Sequence, residues 1–350
     1  MHVPDGFLSI PVAATTAAVS LAAVGYSARK ATRALNERAV PLLGVTAAFV
    51  FAAQMLNFPV AGGTSGHFLG AVFVAVLLGP YAAVVVMTAV LAVQALGMAD
   101  GGITALGANV LNMALIAGVG GYLVFLVLNR LLPKRPAMYF LSVAVASWLS
   151  VVLAAAACSL ELALSGTVPL SVALAAMTSV HMIIGLGEAL ITVSIVAAVL
   201  AARPDLVATY TLETTPGSAA GSPLLGRRAR LWVFVLCAVV VSLALAVLVS
   251  PFASSSPDGL AKVAVDKGFA QTAAAHSGWS LAPLGGYSFP GIGSRSIGTA
   301  VAGAIGTIAL FALLVVVGRL LGRKRQPEPP RGLGRTERSE VVTPEPAPEP

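Results

Sequence analysis

Apolar residues occur along this chain in long runs that short polar segments interrupt. A helix needs about 20 mainly apolar residues to cross the hydrocarbon core of a bilayer, which is about 30 Å thick. On that measure the pattern predicts nine membrane spans and an all-α fold, a polytopic transmembrane helical bundle. The spans run near residues 8–27, 40–57, 67–79, 81–97, 104–129, 138–161, 170–201, 231–250 and 297–321.

The third and fourth spans form one apolar stretch that is broken at Gly79-Pro80. Proline removes a helical hydrogen bond, and the whole stretch is too long for one crossing. The sequence therefore predicts a tight turn at this point, with a helix on either side.

Composition supports a membrane protein, because 57% of the 350 residues are hydrophobic and only 10% are charged. Soluble globular proteins carry about 25% charged residues. These values exclude soluble enzymes, nucleic-acid binders and disordered scaffolds. The two cysteines, Cys158 and Cys237, both lie in apolar runs and indicate neither a disulfide framework nor a zinc site.

The basic residues are distributed unevenly between the two sets of connecting segments. If residue 1 lies outside, all but three of the 21 basic residues fall on the inner side, and only Lys262, Lys267 and Arg295 lie outside. The positive-inside rule requires such an asymmetry. We therefore expect a multi-pass protein of a bacterial cell membrane, with its N-terminus outside and its C-terminus in the cytoplasm.

Polar segments divide the chain into two predicted membrane modules. A seven-span module covers residues 1–202, and a cytoplasmic linker follows at 203–230. A two-span module then covers 231–321, with an outer loop at about 251–296. The tail at 322–350 is rich in Pro, Glu, Arg and Thr, a composition that predicts disorder.

The amino terminus is a candidate metal-binding element. No cationic segment precedes the first apolar run, so we expect the start to remain uncleaved and Met1 to be retained before the large residue His2. A terminal amine, the following amide nitrogen and the His2 imidazole can chelate one divalent ion. Nitrogen donors in a square-planar arrangement suit Ni(II) or Cu(II) and leave room for one further nitrogen.

His67 is the predicted fourth donor, because it follows a glycine-rich loop on the same outer face as Met1. Glycines allow the backbone to approach a ligand and to lie among helices. The alternative is that His2 is an exposed terminal residue and that His67 merely begins a helix. A lone histidine is weak evidence for a metal site, and two on one face beside a free amine leave the metal site and the structural alternative equally open.

Four motifs together resemble a known family. They are Met1-His2-Val3-Pro4-Asp5-Gly6-Phe7-Leu8, Gly62-Gly63-Thr64-Ser65-Gly66-His67, the segment 99–109 and the segment 181–192. In this order they resemble the cobalt and nickel substrate-binding subunits of energy-coupling-factor transporters, the CbiM/NikM family, over residues 1–202. Val3 stands where the family often has Ile.

The resemblance implies that metal is bound by the Met1 amine, by the backbone nitrogen and imidazole of His2, and by the His67 imidazole. It also implies two kinds of partner, a transmembrane scaffold subunit and ATP-binding cassette ATPase subunits. It implies no prosthetic group, because the ion is cargo. The sequence does not decide between nickel, for metalloenzymes, and cobalt, for cobalamin biosynthesis.

The second module resembles the PDGLE domain, an accessory component of these transporters. The resemblance rests on Ser254-Ser255-Ser256-Pro257-Asp258-Gly259-Leu260 and on the segment 287–292. Ala261 stands where the motif has its Glu, which weakens any role for a carboxylate at that position. The chain therefore looks like a fusion of the metal-binding subunit with its accessory subunit.

Several polar residues are candidates for orienting the metal ligands, because a metal-bound imidazole usually donates its other N–H to a partner. These candidates are Ser65, Asn109, Asn112 and His181. Each also has a structural alternative, namely loop capping for Ser65, bonding between helices for the two asparagines and packing for His181.

Other polar and small residues favour structural roles. Glu188 lies about 10 Å further inward than His181, which predicts a structural hydrogen bond or a contact with the coupling partner. Asp100 favours a turn over attraction of cations, and His276 favours a solvated loop over metal capture. Small residues at 300, 303 and 306 predict a close helix contact that docks the second module on the first.

The predicted function is capture of Ni(II) or Co(II) outside the cell for uptake. The sequence contains no Gly-x-x-x-x-Gly-Lys-Ser/Thr motif, so ATP hydrolysis is expected on separate subunits and the chain itself is not expected to be an enzyme. One alternative is a secondary metal transporter that works without ATP. A second alternative, an intramembrane metalloenzyme, needs an open metal position and a nearby general base, and no carboxylate is close to His67 in sequence.

Overall fold

The structure is a computed structural model that describes residues 1–34, 39–210, 226–273 and 282–322. Within these ranges, seven helices are long and apolar enough to cross a membrane. They are α1 (Ile10–Ala34), α4 (Pro80–Met98), α5 (Leu106–Leu131), α6 (Pro136–Leu164), α7 (Leu170–Ala202), α8 (Arg228–Phe252) and α10 (Arg295–Gly322). The predicted all-α membrane bundle is confirmed. The predicted tail, most of the linker and His276 lie outside the described residues.

Two of the nine predicted spans are shorter than a full crossing. Helix α2 (Ala39–Gln54) has 16 residues, and α3 (Ala71–Leu78) has only eight. At 1.5 Å per residue α3 is about 12 Å long. The prediction of a span at 67–79 was therefore wrong in its first part, because residues 67–70 are not helical.

A hairpin and an irregular segment replace the missing part of that span. Strands β1 (Phe58–Val60) and β2 (Thr64–Gly66) pair antiparallel around Gly62 and Gly63, whose φ angles of 78° and 72° favour glycine. Gly66 lies so close to Ile184 that a Cβ would meet its Cγ2 at 2.8 Å. The hairpin therefore enters the bundle as predicted, and His67 follows it directly.

The predicted turn at Gly79-Pro80 is confirmed. Gly79 has a φ of 88° and ends α3, and Pro80 is the first residue of α4. Proline suits this position, because a first-turn N–H has no helical acceptor in any case. Helices α3 and α4 consequently run in opposite directions, and the hairpin together with α3 takes the place of the predicted third span.

The connecting segments gather at two opposite ends of the bundle. At one end the amino-terminal segment meets the loop after α4 through Gly102 N to Val3 O and the loop after α6 through Thr167 Oγ1 to Phe7 O. At the same end the second module meets the end of α4 through Leu284 N to Gly97 O. At the other end, the segment after α7 meets the end of α3 through Ala208 N to Leu77 O.

Small residues bring the second module close to the first, as predicted. A Cβ on Gly306 of α10 would meet Phe51 Cζ of α2 at 2.2 Å, and one on Gly44 of α2 would meet the Phe311 carbonyl oxygen at 2.9 Å. Without side chains at these points the two helix backbones can approach closely. Helices α2 and α10 therefore form the main contact between the modules.

A short helix, α9 (Gly259–Asp266), begins at the motif of the second module. Asp258 is its N-cap, and one carboxylate oxygen, Oδ1, accepts a hydrogen bond from Ala261 N at 2.8 Å. In a capping box, a Glu at the third helical position returns a bond to the N-cap backbone. Ala261 occupies that position, so this chain has one half of the box.

Replacing Ala261 with Glu is expected to complete the capping box. Ala261 is exposed, so the longer side chain fits. We expect Ala261→Glu to stabilise the protein by about 0.3–1.5 kcal/mol in thermal unfolding of the detergent-purified chain. Ala261→Leu is the control, since it has a similar length without an acceptor. Equal stability of the two variants would contradict this account of the motif.

Candidate metal-binding site

The amino-terminal segment is fixed in the end of the bundle by its own backbone. The side chain of Asn109 in α5 makes two hydrogen bonds with the backbone of Val3. Its Oδ1 accepts from Val3 N at 2.8 Å, and its Nδ2 donates to Val3 O at 3.1 Å. Asp5 accepts from Thr104 N at 2.8 Å. Gly102 fits closely beside Asp5, because a Cβ there would lie 2.4 Å from Asp5 N. These contacts place Met1 and His2 at one defined position.

The Met1 amine faces His67. Its nitrogen donates to His67 Nε2 at 2.5 Å, and the rings of His2 and His67 stack with their centroids 5.3 Å apart. Met1 is 6% exposed, so the amine lies inside the protein. Met1, His2 and His67, the three residues predicted as metal ligands, are therefore in direct contact. Met1 and His67 are 66 positions apart in the sequence.

The hydrogen bonds of His67 determine which ring nitrogen is free. Its Nδ1 lies 3.0 Å from the Phe68 carbonyl oxygen, which only accepts, so Nδ1 carries the proton. The lone pair is then on Nε2, the nitrogen that faces the Met1 amine. Metal-binding histidines commonly use this arrangement, with the far N–H bound to a carbonyl.

The ring of His2 is oriented in the same way through two glutamines. Gln94 donates to Gln54 Oε1 at 2.7 Å, and Gln54 donates to the Leu69 carbonyl oxygen at 2.8 Å. The oxygen of Gln94 faces His2 Nε2 at 3.1 Å, which is shorter than the 3.4 Å between Nδ1 and Asp100 Oδ1 and favours the tautomer with its proton on Nε2 and its lone pair on Nδ1. Only Nδ1 is close enough to the backbone nitrogen of its own residue to close a chelate ring.

Burial keeps both imidazoles neutral. It lowers the pKa of His67 to about 3, and the Met1 ammonium adds to this effect. Burial also lowers the pKa of His2, against the opposing influence of the Asp100 carboxylate. A neutral imidazole is the form that binds metal ions. Both rings therefore offer a lone pair at neutral pH.

Two carboxylates complete the surroundings of the site. Asp258 Oδ2 lies 3.1 Å from the Met1 amine, while its other oxygen caps α9. Burial alone would raise the pKa of Asp258, but the Met1 ammonium holds this pKa below its usual range. Asp100 Oδ1 lies 3.4 Å from His2 Nδ1, and Tyr287 donates to Asp100 Oδ2 at 2.6 Å. Asp258 and Tyr287 both belong to the second module.

The second module covers the loop that carries His67. Ser65 N donates to the Pro257 carbonyl oxygen and Ser65 Oγ to that of Ser256, both at 2.8 Å. Beside this contact lies a cavity of about 500 Å³, lined among others by His2, His67, Asp100, Asp258 and Arg295. The cavity gives small hydrophilic solutes a path to the histidines.

The donors of this site are mostly main-chain and imidazole nitrogens. Across the described ranges, no three side chains of His, Cys, Asp or Glu are arranged as metal ligands. A metal site at this position therefore depends on the Met1 amine, together with the two imidazoles. The donor set predicted from the amino-terminal sequence, the Met1 amine with the nitrogens of His2 and His67, stays a prediction.

Comparison with known proteins identifies the family. The model for the cobalt uptake substrate-specific transmembrane region, CbiM, matches residues 2–206, more than half of the chain. The chain belongs to the CbiM family. The PDGLE domain model matches residues 232–323. Both resemblances seen in the motifs are confirmed, and the chain is a membrane component of cobalt or nickel transport.

Fused nickel transport proteins are among the relatives of this chain, and one of them covers nearly all of it. A putative fused nickel transport protein NikMN from Archaeoglobus fulgidus is 36% identical over 323 residues, which is 89% of this chain and 96% of the relative. The fused nickel transport protein NikMN from Rhodobacter capsulatus is 35% identical and covers 69% of this chain and 71% of its own. A crystal structure of a truncated transition metal transporter is 35% identical, with a TM-score of 0.52 over 57% of this chain and 99% of its own.

The structure separates the candidates for orienting the ligands. Asn109 bonds to the Val3 backbone rather than to a histidine ring, and Asn112 donates to Glu161 Oε2 at 2.8 Å, away from the site. Ser65 bonds to the second module. His181 lines a small cavity with Met1 and His67, and its Nδ1 donates to the Met177 carbonyl oxygen at 2.7 Å.

Glu188 has the structural role that was expected of it. Its two oxygens accept from Leu69 N at 2.6 Å and Gly70 N at 2.8 Å, at the beginning of α3. These N–H groups precede the helix and have no helical acceptor. Glu188 therefore fixes the segment that directly follows His67.

Sequence analysis missed the glutamine pair and the carboxylates of the site. Gln54 and Gln94 are isolated polar residues in apolar spans, which is a usable signal, because such residues are costly in a membrane and need partners. Asp100 was assigned mainly to a turn. Asp258 was noticed only as part of the motif of the second module, since its contact with Met1 joins residues far apart in the sequence.

Proposed function

We propose that this chain is the substrate-specific component of an energy-coupling-factor importer and that it captures Ni(II) or Co(II) at the outer face of the cell membrane. The observation that supports this best is the 2.5 Å contact between the Met1 amine and His67 Nε2, with the His2 ring stacked alongside. In this proposal the ion is bound by the Met1 amine, the His2 backbone nitrogen and Nδ1, and His67 Nε2.

Charge and geometry support this set of ligands. Binding requires that the amine and the amide nitrogen lose protons, after which the ion replaces the contact between Met1 and His67. Gln94 and the Phe68 carbonyl hold the rings with their lone pairs available. Asp258 and Asp100 lie within 3.1 Å and 3.4 Å of ligand nitrogens and offset part of the positive charge of the ion.

The proposed orientation places this site outside. Along the sequence, all but three of the 21 basic residues fall in segments that the positive-inside rule assigns to the cytoplasm, on the other side from Met1 and His67. The nickel transport proteins to which the chain is similar carry the same fusion of two modules by name. In our proposal, a transmembrane scaffold subunit and ATPase subunits supply the energy, and tilting of the module displaces the loop of His67 to release the ion.

Uptake measurements test this proposal directly. The chain is expressed in cells without nickel or cobalt importers, with and without scaffold and ATPase subunits. We expect accumulation of radioactive nickel or cobalt only with the complete set, and its loss on ATP depletion. Crosslinking the His67 loop to the outer helices should abolish uptake while metal binding is retained. ATP-independent uptake by the chain alone would support a secondary transporter instead.

The metalloenzyme alternative has one observation in its favour, because two carboxylates lie near the histidines although none is near in sequence. Both are already engaged, Asp258 by Met1 and α9 and Asp100 by Tyr287 and His2. A site with four nitrogen ligands in a plane also leaves no planar position for a reacting water. Transport is therefore the function that the geometry supports best.

A further inference from the structure

A second cavity lies between the modules, near the end of the bundle opposite the metal site. It has a volume of about 460 Å³ and lies between α2, α7 and α8, with α3 at its base. Its walls are almost entirely apolar. Six of the lining residues are Leu42, Phe73, Ile195, Val199, Phe234 and Val241. Because it lies between helices of the two modules, we refer to it as the intermodule cleft.

The depth of the intermodule cleft corresponds to one leaflet of a bilayer. Along α7 the lining extends from Ser194 to Ala202, and along α8 from Phe234 to Val241. At 1.5 Å per residue these segments rise about 12 Å and about 10 Å. Half of the hydrocarbon core is about 15 Å thick. A hydrocarbon chain that enters from one side fits this depth, whereas a crossing helix needs the full thickness.

Basic residues lie where the intermodule cleft meets the polar surface. Arg203 stands between Ala202 and Leu206, which both line the cleft. Two of its guanidinium nitrogens bind Asp205 at 2.7 Å, while Nη1 has no hydrogen-bond partner among the described residues. Arg230 is exposed and precedes Phe234 by one helical turn on the same face of α8.

We propose that the intermodule cleft binds one acyl chain of an anionic phospholipid, with its phosphate at Arg203 and Arg230. Basic pockets between membrane helices on the cytoplasmic side suit such head groups. The chain would fill the space that α7 and α8 leave between them. The lipid thereby connects the second module to the first in the inner leaflet. It does so at the end of the bundle where α7 does not pack against the contact of α2 with α10.

Native mass spectrometry of the full chain with added phosphatidylglycerol tests this site. We expect one tightly retained lipid, and a loss of affinity of about 30-fold in the double variant Arg203→Gln, Arg230→Gln. Ala238→Phe, which fills the cleft, should abolish retention. Leu236→Phe and Arg228→Gln are the matched controls, because Leu236 is 64% exposed and both lie on other faces of α8. Phosphatidylcholine with identical acyl chains should bind weakly to the wild-type protein. Its affinity should be no higher than that of phosphatidylglycerol for the double variant.

Cys237 provides a test that needs no substitution. Its thiol lines the intermodule cleft and is exposed, whereas Cys158 is buried. Phosphatidylglycerol should slow the reaction of Cys237 with methyl methanethiosulfonate several-fold, and phosphatidylcholine should not. Equal protection by both lipids, or equal retention by the filled variant and its control, would overturn the proposal. Protection that arises only on adding the scaffold subunit would assign the cleft to that partner instead.

Discussion

Replacement of His67 by alanine is expected to lower the affinity for Ni(II) and Co(II) by more than about 100-fold. Loss of a residue that only orients a metal ligand typically costs 10–100-fold, and loss of the ligand itself costs more. His67 Nε2 lies 2.5 Å from the Met1 amine and carries the free lone pair of its ring. Isothermal titration of the detergent-purified chain with each metal measures the change.

His181→Ala is the matched control for this variant. His181 is a buried histidine that lines the same small cavity, but its Nδ1 is bound to the Met177 carbonyl and its ring packs against Gly259. We expect it to retain metal binding at one ion per chain. An equal loss of binding in both variants, at equal folded fraction, would contradict the assignment of His67 as a ligand.

Removal of the Glu188 carboxylate is expected to have the largest effect on stability. Glu188→Ala leaves the N–H groups of Leu69 and Gly70 buried without their acceptor. Each unsatisfied group costs about 1–3 kcal/mol, so we expect a destabilisation of about 2–6 kcal/mol in thermal unfolding. Because these groups follow His67 directly, the affinity for metal should fall in the same variant.

Glu161→Ala is the corresponding control for the loss of a buried carboxylate. Glu161 accepts a hydrogen bond from Asn112 and not from the segment that follows His67. We expect a smaller loss of stability and unchanged metal binding. If Glu188→Ala binds metal as tightly as Glu161→Ala, Glu188 does not position the His67 loop.

Much of the fold follows from the apolar pattern, and the exception has a physical cause. Long helices such as α6 and α7 and the break at Gly79-Pro80 agree with prediction, because hydrophobic length and proline chemistry determine them locally. The span at 67–79 is apolar throughout, yet its start is held out of the helix by Glu188 from a distant helix. A contact of this kind is not encoded in the local pattern.

The candidate site was predictable to the extent that its chemistry is local. The proposed chelating pair of Met1 and His2 is visible in the first two residues, and the proposed face of His67 follows from the predicted topology. The hydrogen bonds that select Nδ1 of His2 come from Gln94 and Gln54, whose partners depend on packing. The approach of Asp258 to Met1 depends on docking of the second module, which small residues in α10 permit but do not specify.

The central claim is that the amino-terminal amine of Met1 is a ligand of the transported ion. Metal binding by the purified protein with its native amino terminus, compared with a form extended by one residue, tests it most directly. Our account predicts tight binding of one ion per chain by the native form, with the preferred metal identifying the cargo, and loss of that binding on extension. Equal binding by both forms would contradict the account, because it would remove the amine and the chelate at His2 from the site.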